Sequence, residues 1–470
     1  MVLKVDVKLV VLEADEVIIR KVKDKPVSIK ICDLIGCQTC EEPSSSLSSL
    51  FMTPPNIVIR YISRGQHYKW TAETVEVIGS KENCEALKNE INNKLGQEKE
   101  RPKKLAVFIN PIGGSQTSMS VYSKVVTPLF KAANITCDVM VSERPKHMID
   151  LVSGFDTASV DGLVVVGGDG TLLEILNCLL TRVQKEAGLD YDQPSCKLKP
   201  LEVPIGIIPT GTGNGAATGL YGNNDVVTAV LHIIRGQTNY NNAQAVYSGR
   251  KLVSFSGGVC VAYGLFSDII YHTDRNRWLK RARYVVVPIN ILLFKRQRQF
   301  TAKVTVFPKE QNTDSSDEDT DATGREESAA TEGKEAEFSS NLIGVASFGV
   351  DFLSVATDSK LDFVKATQSS RKNGGFCLFI NKRTSRTQFL THFFQLMTLT
   401  RSAFEKDFLS THSVRGYKVK VLSHDESPQA NSQEAEINKL VDVDGELIEI
   451  VDEEYEVWNH MRIIKFYTCF

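Results

Sequence analysis

Short apolar runs alternate with amphipathic helical patterns between residues 105 and 235, and this alternation limits the possible folds more than any other feature of the chain. Runs such as 105–109 and 162–166 consist mainly of Val, Ile, Leu, Phe and Ala. Strands buried on both faces have near-continuous apolar sequences, and helices supply the crossovers that a parallel sheet needs. We therefore predict an α/β domain over residues 104–236, with a parallel sheet covered by helices.

The two flanking regions lack this alternation. Residues 1–97 contain short β-like runs and end in one helical stretch, 81–95, whose apolar side chains fall on one face. Several strands followed by one C-terminal helix resemble a pleckstrin-homology domain, although other small β domains share the pattern. From residue 237 to residue 470, further β-like runs predict a second, largely antiparallel domain.

One segment of this second region has an unusual composition. Residues 311–340 are rich in Asp, Glu, Ser and Thr and have almost no apolar side chains. Such a segment cannot bury enough apolar surface to offset the entropy lost on ordering. We therefore expect a disordered acidic loop at 311–340, with a regulatory acidic segment as the alternative.

Three glycine-rich turns are the candidates for chemistry, and each follows a predicted strand. They are Asn110-Pro-Ile-Gly-Gly114, Gly167-Gly-Asp-Gly-Thr171 and Gly211-Thr-Gly-Asn214. Glycine lets backbone N–H groups approach an anion closely, and ligands of parallel sheets bind beyond the carboxyl ends of the strands. We expect the three turns to face one crevice. The pattern GxxxxGK[ST] is absent, which excludes a P-loop nucleoside triphosphatase.

Asp169 stands between glycines at the end of a predicted buried strand. A carboxylate in this position can accept the proton of an attacking hydroxyl, which makes Asp169 a candidate general base. The alternative is structural, with Asp169 as the N-cap of the helix that follows.

Together the three turns resemble the catalytic motifs of the diacylglycerol and sphingosine kinase superfamily, over roughly residues 104–470. The resemblance implies an α/β catalytic domain followed by a β-sandwich domain, ATP as the phosphate donor and Asp169 as the general base. It also implies nucleotide contacts at Asn110, Pro111, Ile112, Ser142, Glu143, Arg144, Pro145, Lys146, Glu174, Gly211, Thr212, Gly213, Arg277, Arg283, Asp444, Gly445 and Glu446. Substrate contacts are expected at Gly167, Gly168, Asp169, Gly170 and Asp268.

Residues 263–284 resemble the ceramide kinases of that superfamily. Arg277 and Arg283 match its phosphate-contacting arginines, and guanidinium groups suit the charge of a transferring phosphoryl group. The alternative is a solvated basic helix face. Sphingosine kinases have an acidic residue at the position of Ile270, which suits the amine of their substrate. An amide-linked lipid carries no cation and needs no acidic partner, so Ile270 favours ceramide. The turn 211–214 departs from vertebrate ceramide kinases, so a sphingosine, long-chain-base or diacylglycerol kinase remains an alternative, as does a catalytically silent lipid-binding protein of the same fold.

The resemblance also implies Mg²⁺, which needs only one or two carboxylates beside phosphate oxygens. The candidate carboxylates are Asp169, Glu174 and Glu446, and the sequence does not choose among them.

The expected partner is a sphingolipid in a membrane. The formal net charge of −2 argues against a nucleic-acid partner. No secretory signal and no run long enough to span a bilayer are evident, so we expect a cytoplasmic chain that contacts anionic membranes peripherally. The apolar run 285–294, flanked by Arg and Lys, is either a membrane-contacting segment or a buried element of the second domain.

Overall fold

The computed structural model describes residues 2–3, 7–12, 16–21, 27–39, 56–114, 116–295, 298–308, 334–336, 342–348, 376–397, 406–424 and 432–468. The chain divides into two compact units. The first comprises Met1–Glu174, Leu201–Tyr240 and Lys465–Phe470, and the second comprises Ile175–Pro200 and Asn241–Ile464. The domain boundaries predicted from the sequence stay a prediction.

A parallel sheet lies in the first unit. Its order is β9 (Thr136–Val141), β8 (Lys104–Ile109), β10 (Gly162–Gly167), β11 (Leu201–Pro209), and every adjacent pair is parallel. The side chains of β10 are all buried, as a near-continuous apolar run requires. The parallel sheet predicted from the apolar runs is therefore confirmed.

Helices connect these strands. They are α2 (Ser118–Val121), a π-helix (Tyr122–Val126), α3 (Thr127–Ala132), α4 (His147–Ser153), a 3-10 turn (Thr157–Ser159), α5 (Asp169–Glu186), α6 (Gly215–Tyr221) and α7 (Val226–Arg235). Helix α7 begins at Asp225, whose carboxylate accepts the Thr228 N–H at 2.9 Å, and ends at Gly236 with φ of 82°. Both are ordinary helix-capping residues, so the sequence itself sets the limits of α7.

The N-terminal part of the first unit forms two small sheets and one helix. The first sheet contains β2 (Val7–Leu12), β3 (Glu16–Lys21) and β4 (Val27–Lys30), and the second has the order β1 (Val2–Leu3), β7 (Trp70–Ile78), β6 (Asn56–Arg64), β5 (Leu34–Thr39). Helix α1 (Lys81–Gln97) starts at the N-cap Ser80 and buries Cys84, Ile91 and Leu95. The predicted helix is confirmed, whereas the pleckstrin-homology resemblance stays a prediction.

This N-terminal part packs on α7. The Trp70 ring stacks on the His232 ring with a centroid distance of 3.8 Å, and both side chains are buried. Burial lowers the pKa of His232 to about 3, so the stacked imidazole is neutral at physiological pH. The buried Arg101 guanidinium donates to the Leu34 carbonyl at 2.6 Å and to the Ile35 carbonyl. Arg101 thus ties strand β5 to the segment that enters the parallel sheet.

Antiparallel pairing dominates the second unit. Its strands are β12 (Thr238–Ser248), β13 (Lys251–Ser256), β14 (Cys260–Gly264), β15 (Phe300–Pro308), β16 (Lys334–Ala336), β17 (Leu342–Phe348), β18 (Phe376–Lys382), β19 (Leu409–His424), β20 (Leu440–Val443), β21 (Glu446–Glu449) and β22 (Glu454–Tyr467). Strand β17 pairs with β14 and β18, and β19 pairs with β15, β18 and β22, all antiparallel. The antiparallel character is as predicted, and the β-sandwich implied by the resemblance stays a prediction.

Strand β16 corrects one prediction. Residues Lys334–Ala336 pair antiparallel with β15, with Ala336 opposite Val304. The expected disordered loop at 311–340 is therefore wrong for these three residues, and its other residues lie outside the described ones. Strand pairing uses backbone N–H and C=O groups, so a composition without apolar side chains does not exclude it.

Helices pack on this sheet. They are α8 (Leu265–Arg275), a 3-10 helix (Arg277–Ala282), α9 (Arg283–Phe294), α10 (Arg386–Met397) and α11 (Ser432–Ile437). Helix α9 covers the apolar run 285–294 and buries Ile291 and Leu292 against Phe389 of α10. Its opposite side leaves Val286 50% and Phe294 76% exposed. Across the described residues, no helix combines the length and the apolar character needed to cross a membrane.

Candidate active site

The three glycine-rich turns meet within the first unit. A Cβ added to Gly114, whose φ is 58°, would lie 2.8 Å from the Gly211 Cα. A Cβ added to Gly211 would lie 2.5 Å from the Gly168 Cα. Backbones can approach this closely only where side chains are absent. The turns therefore converge on one point beyond the carboxyl ends of β8, β10 and β11, as the sequence pattern predicts.

Asn110 organises the first turn. Its Oδ1 accepts the N–H groups of Ile112 at 3.1 Å and Gly113 at 3.0 Å. Its Nδ2 donates to Oγ1 of Thr171 at 2.9 Å. An Asn side chain that accepts hydrogen bonds from the following backbone fixes a turn, and the third bond links that turn to the second one. Asn110 thus shapes the loop, a role that its sequence position alone does not reveal.

A pair of hydroxyl groups links the end of β11, just before the third turn, to α2, the helix that follows the first turn. Ser118 Oγ and Thr210 Oγ1 lie 2.8 Å apart, and both residues are buried. Neither residue was among the predicted site residues, because an isolated Ser or Thr gives no signal in the sequence. The pair fixes the position of the first turn relative to the third.

Asp169 is the first residue of α5, but its carboxylate binds a different helix. Oδ2 accepts the Gly215 N–H at 3.0 Å and Oδ1 accepts the Ala216 N–H at 2.9 Å, both at the start of α6. Burial raises the pKa of Asp169 above 3.8, while the hydrogen bonds from Ala216 and Gly215 act in the opposite direction. The residue keeps partial exposure. Both carboxylate oxygens are therefore fixed in orientation.

The predicted contacts 142–146 follow strand β9. Buried Ser142 donates its N–H to the Ile109 carbonyl at 3.0 Å, which holds this turn beside the first one. The Glu143 N–H donates to Nδ1 of His147 at 3.0 Å, and Arg144 forms an exposed ion pair with Asp150 at 2.6 Å. Pro145 completes the turn between them.

Lys146 and Glu174 interact electrostatically. Lys146 has φ of 61° and is the N-cap of α4. Burial raises the pKa of the half-buried Glu174 carboxyl, and the Lys146 ammonium opposes this rise. These two charged groups accompany the glycine-rich turns in the first unit, which is consistent with the nucleotide contacts that the resemblance implies.

In the second unit, Asp444 holds a turn together. Its Oδ1 accepts Ser256 Oγ–H and the Cys260 N–H, each at 2.8 Å, and its Oδ2 accepts the Gly257 N–H at 2.5 Å. Gly445 has φ of 92°, and Glu446 is exposed. The Asp444 carboxylate is thus engaged by the turn between β13 and β14.

Asp442, two residues before Asp444 on β20, was not among the predicted site residues. It is buried, and burial together with the nearby Asp444 carboxylate raises its pKa well above 3.8. Its Oδ1 accepts the Gly445 N–H at 2.9 Å. The alternation of two Asp residues along a strand was the available signal for this pair.

Asp268, predicted to contact the substrate, is engaged by an arginine. Its Oδ1 accepts a hydrogen bond from Nη2 of Arg298 at 2.7 Å, and its Oδ2 accepts one from Nε of Arg298 at 3.3 Å. The Arg298 guanidinium also lies 4.9 Å from the Tyr263 ring centroid. Burial raises the pKa of Asp268, and Arg298 opposes this rise. The ion pair accounts for both buried charges, and the predicted substrate contact stays a prediction.

Of the two arginines assigned to phosphate, Arg277 begins the 3-10 helix and Arg283 follows its last residue. Arg283 begins α9, lies 3.8 Å from an Asp274 oxygen and donates to the Tyr284 hydroxyl at 2.8 Å. The side chain of Arg277 lies outside the described residues. Arg283 is therefore held by neighbours of its own unit, and its predicted nucleotide contact is untested.

The described residues offer few groups that could hold Mg²⁺. Among the described residues, no three His, Cys, Asp or Glu side chains lie close enough together to hold a metal ion. Mg²⁺ bound with a nucleoside triphosphate takes most of its ligands from phosphate and water, so one carboxylate is sufficient. Asp169 and Glu174 of the first unit fit such a partial ligand set.

Comparison with known proteins gives the class to which this architecture belongs. Residues 104–244 match the diacylglycerol kinase catalytic domain, the segment that contains all three glycine-rich turns.

Three known lipid kinases and kinase-like proteins are similar to stretches of this chain. The ceramide kinase of Mus musculus is 31% identical over 262 residues, which are 55% of this chain and 49% of that protein. The ceramide kinase-like protein of Homo sapiens is 25% identical over 430 residues, covering 84% of this chain and 74% of that protein. Sphingosine kinase 1 of Arabidopsis thaliana is 31% identical over 201 residues, covering 42% and 39%. The chain thus resembles ceramide kinases, and the first of these matches spans about half of that relative.

Among solved structures, a putative diacylglycerol kinase from Bacillus anthracis str. Sterne is 15% identical. That match covers 78% of this chain and 97% of that chain, with a TM-score of 0.48.

Proposed function

We propose that this chain is a lipid kinase that transfers the γ-phosphate of ATP to the primary hydroxyl of ceramide, giving ceramide 1-phosphate. The observation that carries the proposal is the Asp169 carboxylate, which backbone N–H groups orient among three converging glycine-rich turns in the segment that matches the diacylglycerol kinase catalytic domain. The similarity to ceramide kinases supports the choice of lipid.

The proposed reaction is a direct in-line transfer. The lipid hydroxyl gives its proton to Asp169 while its oxygen forms the bond to the γ-phosphorus, and the bond from that phosphorus to the bridging oxygen breaks to release ADP. Two backbone N–H groups hold the Asp169 carboxylate in one orientation. Burial raises the pKa of this carboxylate, which makes it a stronger base than an ordinary Asp.

The remaining contributions are electrostatic. Backbone N–H groups of the glycine-rich turns, with Lys146, would bind the phosphates of ATP. Mg²⁺ would neutralise phosphate charge, with Asp169 or Glu174 as the protein ligand in the first unit. Arg277, Arg283 and the segment Asp444–Glu446 are proposed nucleotide contacts on the resemblance alone.

Membrane contact is part of the proposal, because ceramide stays in the bilayer. Trp278 and Phe294 are each 76% exposed, and Val286 of the same helical region is 50% exposed. We call Trp278, Val285, Val286 and Phe294 the α9 surface. The exposed cations Lys295 and Arg386 border it, and Arg386 donates to the Leu293 carbonyl at the end of α9. Apolar groups rimmed by cations suit an anionic membrane surface.

A single assay tests the proposal. Purified protein is incubated with ATP, Mg²⁺ and, separately, ceramide, sphingosine and diacylglycerol in detergent micelles, and the phosphorylated lipids are quantified. Preference for ceramide supports the proposal, and preference for sphingosine would favour the alternative suggested by the Arabidopsis relative. Absence of product from all three lipids, with the fold intact, would indicate a silent lipid-binding protein.

A further inference from the structure

Three hydrogen bonds join the glycine-rich turns into a ring. Asn110 of the first turn donates to Thr171 of the second turn at 2.9 Å. The backbone N–H of Thr210, just before the third turn, donates to the carbonyl of Gly167 in the second turn at 2.9 Å. Ser118 of α2, the helix after the first turn, closes the ring, because its Oγ lies 2.8 Å from Oγ1 of Thr210. Each turn is thus tied to the other two.

The glycines cannot hold the turns in place by themselves. A Cβ added to Gly114 would lie 2.9 Å from the Thr210 carbonyl oxygen, so the first turn lies directly against this residue. Glycine allows such a close approach because it has no side chain, but for the same reason its backbone has the greatest conformational freedom. The turns therefore need hydrogen bonds from neighbouring residues, and Thr210 is a neighbour that adjoins all three.

The helix that carries Ser118 is wound so that this side chain faces the ring. Ser118 and Val126 lie eight residues apart and are both buried. An unbroken α-helix would point two such side chains about 80° apart. The π-helix Tyr122–Val126 turns less per residue and brings them onto one face. Its cause is Pro128, which has no N–H for the Lys124 carbonyl and so interrupts the α-helical hydrogen bonds.

The two hydroxyl groups bring the fold little stability. Ser118 is 1% exposed and Thr210 is 4% exposed, so both hydroxyl groups have given up their hydrogen bonds to water. Replacing both partners of a buried hydrogen bond by apolar groups of the same shape is often nearly neutral or even stabilising. Packing alone therefore does not explain these two residues, whereas a fixed geometry between the turns does.

We infer that Ser118 and Thr210 are positioning residues that hold the first and third turns at the spacing that ATP binding requires. The inference rests on the proposed function and assigns to it two residues that lie outside the turns. Neither side chain needs to touch the nucleotide, because their hydrogen bond acts through the turns that it joins. Its loss should weaken ATP binding and leave the affinity for the lipid unchanged.

The experiment compares the full-length chain with the double variant Ser118→Ala/Thr210→Val, which replaces both hydroxyl groups by apolar groups of similar shape. Binding of ATP with Mg²⁺ is measured by titration calorimetry, and thermal unfolding is followed on the same samples. We expect Kd for ATP to rise about three- to tenfold, the usual effect of one hydrogen bond, with the melting temperature unchanged or higher. A folded double variant that binds ATP as tightly as the wild type overturns the inference.

Two single variants at position 210 show which group matters. Thr210→Val removes the hydroxyl and should weaken ATP binding, whereas Thr210→Ser keeps it and should bind ATP like the wild type. Ser120→Ala, at an exposed position of α2, is the matched control on the helix and should also bind normally. In the kinase assay, KM for ATP should rise in Thr210→Val while KM for ceramide stays constant. Equal weakening by Thr210→Val and Thr210→Ser contradicts the inference, since the hydroxyl would then be irrelevant.

ATP binding needs no lipid, and this separates the two possible failures. If the variants differ in ATP affinity as expected but the wild type phosphorylates no lipid, the proposed function is wrong and the inference stands. If the wild type phosphorylates ceramide and the variants bind ATP normally, the inference is wrong and the proposed function stands. A wild type that binds no ATP would contradict both.

Discussion

The environment of Asp169 differs from the N-cap role that the sequence offered as the alternative to a general base. As an N-cap it would serve α5, yet its carboxylate accepts backbone N–H groups from α6, 46 and 47 residues further along the chain. No local pattern predicts a contact over that separation. The GGDGT motif indicates where the carboxylate lies, and only the fold indicates what holds it.

Replacing Asp169 by Asn tests its role as the base. Asn keeps the volume but cannot accept the hydroxyl proton, so we expect kcat for lipid phosphorylation to fall by about 10²–10⁴ with the fold retained. In the wild type, the raised pKa places the acidic limb of the kcat profile above pH 3.8, because activity is lost as falling pH protonates the base. Near-normal turnover in a folded mutant would exclude Asp169 as the base.

A second prediction at the residue scale concerns the close approach of the turns. Gly211→Ala would place a Cβ 2.5 Å from the Gly168 Cα, so the second and third turns must separate. We expect a higher KM for ATP and a destabilisation of about 1–3 kcal/mol, typical of overpacking. Gly96→Ala is the control, since its Cβ would meet no atom within 4 Å. An unchanged KM for ATP would show that this contact does not shape the nucleotide site.

Helices and strands were predicted well where the period of the apolar residues and the length of the run indicate the same element. They were predicted poorly where the sequence offers only one of these two signals. The parallel strands follow from long apolar runs, and α1 follows from its 3.6-residue period and the Ser80 cap. The run 285–294 is apolar throughout, so periodicity could not indicate which side is buried. The helix α9 packs Ile291 and Leu292 against α8 and α10, as the buried alternative predicts, and leaves other side chains exposed. Membrane contact stays a prediction. Likewise Arg298, 30 residues after Asp268, gave no sign that it would pair with it.

The contact between the N-terminal sheets and α7 is open to a direct test. Trp70 is buried and its ring stacks on His232, while its backbone N–H donates to Thr228 Oγ1 at 3.0 Å. We expect Trp70→Ala to lower the free energy of unfolding by about 3–5 kcal/mol, as for other buried Trp residues. The control is Trp278→Ala, where the ring is 76% exposed and the loss should be small. Equal melting temperatures for the two variants would contradict the packing described here.

At the scale of the whole molecule, the proposed activity on ceramide requires contact with a membrane. The α9 surface is the best candidate because it combines exposed apolar side chains with bordering cations on a helix anchored by its other face. The anchoring matters, since insertion then requires no unfolding of the helix. Docking would bury the exposed Phe294 ring in the interfacial region while Lys295 and Arg386 meet anionic headgroups.

Phe294→Asp tests this docking. The position is 76% exposed, so the change should leave the melting temperature nearly unchanged. It should weaken binding to anionic liposomes about tenfold or more, because the burial of one aromatic ring is lost and a negative charge is added. Leu422→Asp, at a 61% exposed position on β19, is the matched control and should bind normally. Co-sedimentation with liposomes of stated anionic lipid content and a melting curve are measured on each variant. A folded Phe294→Asp protein that sediments like the wild type would remove the α9 surface as the membrane contact.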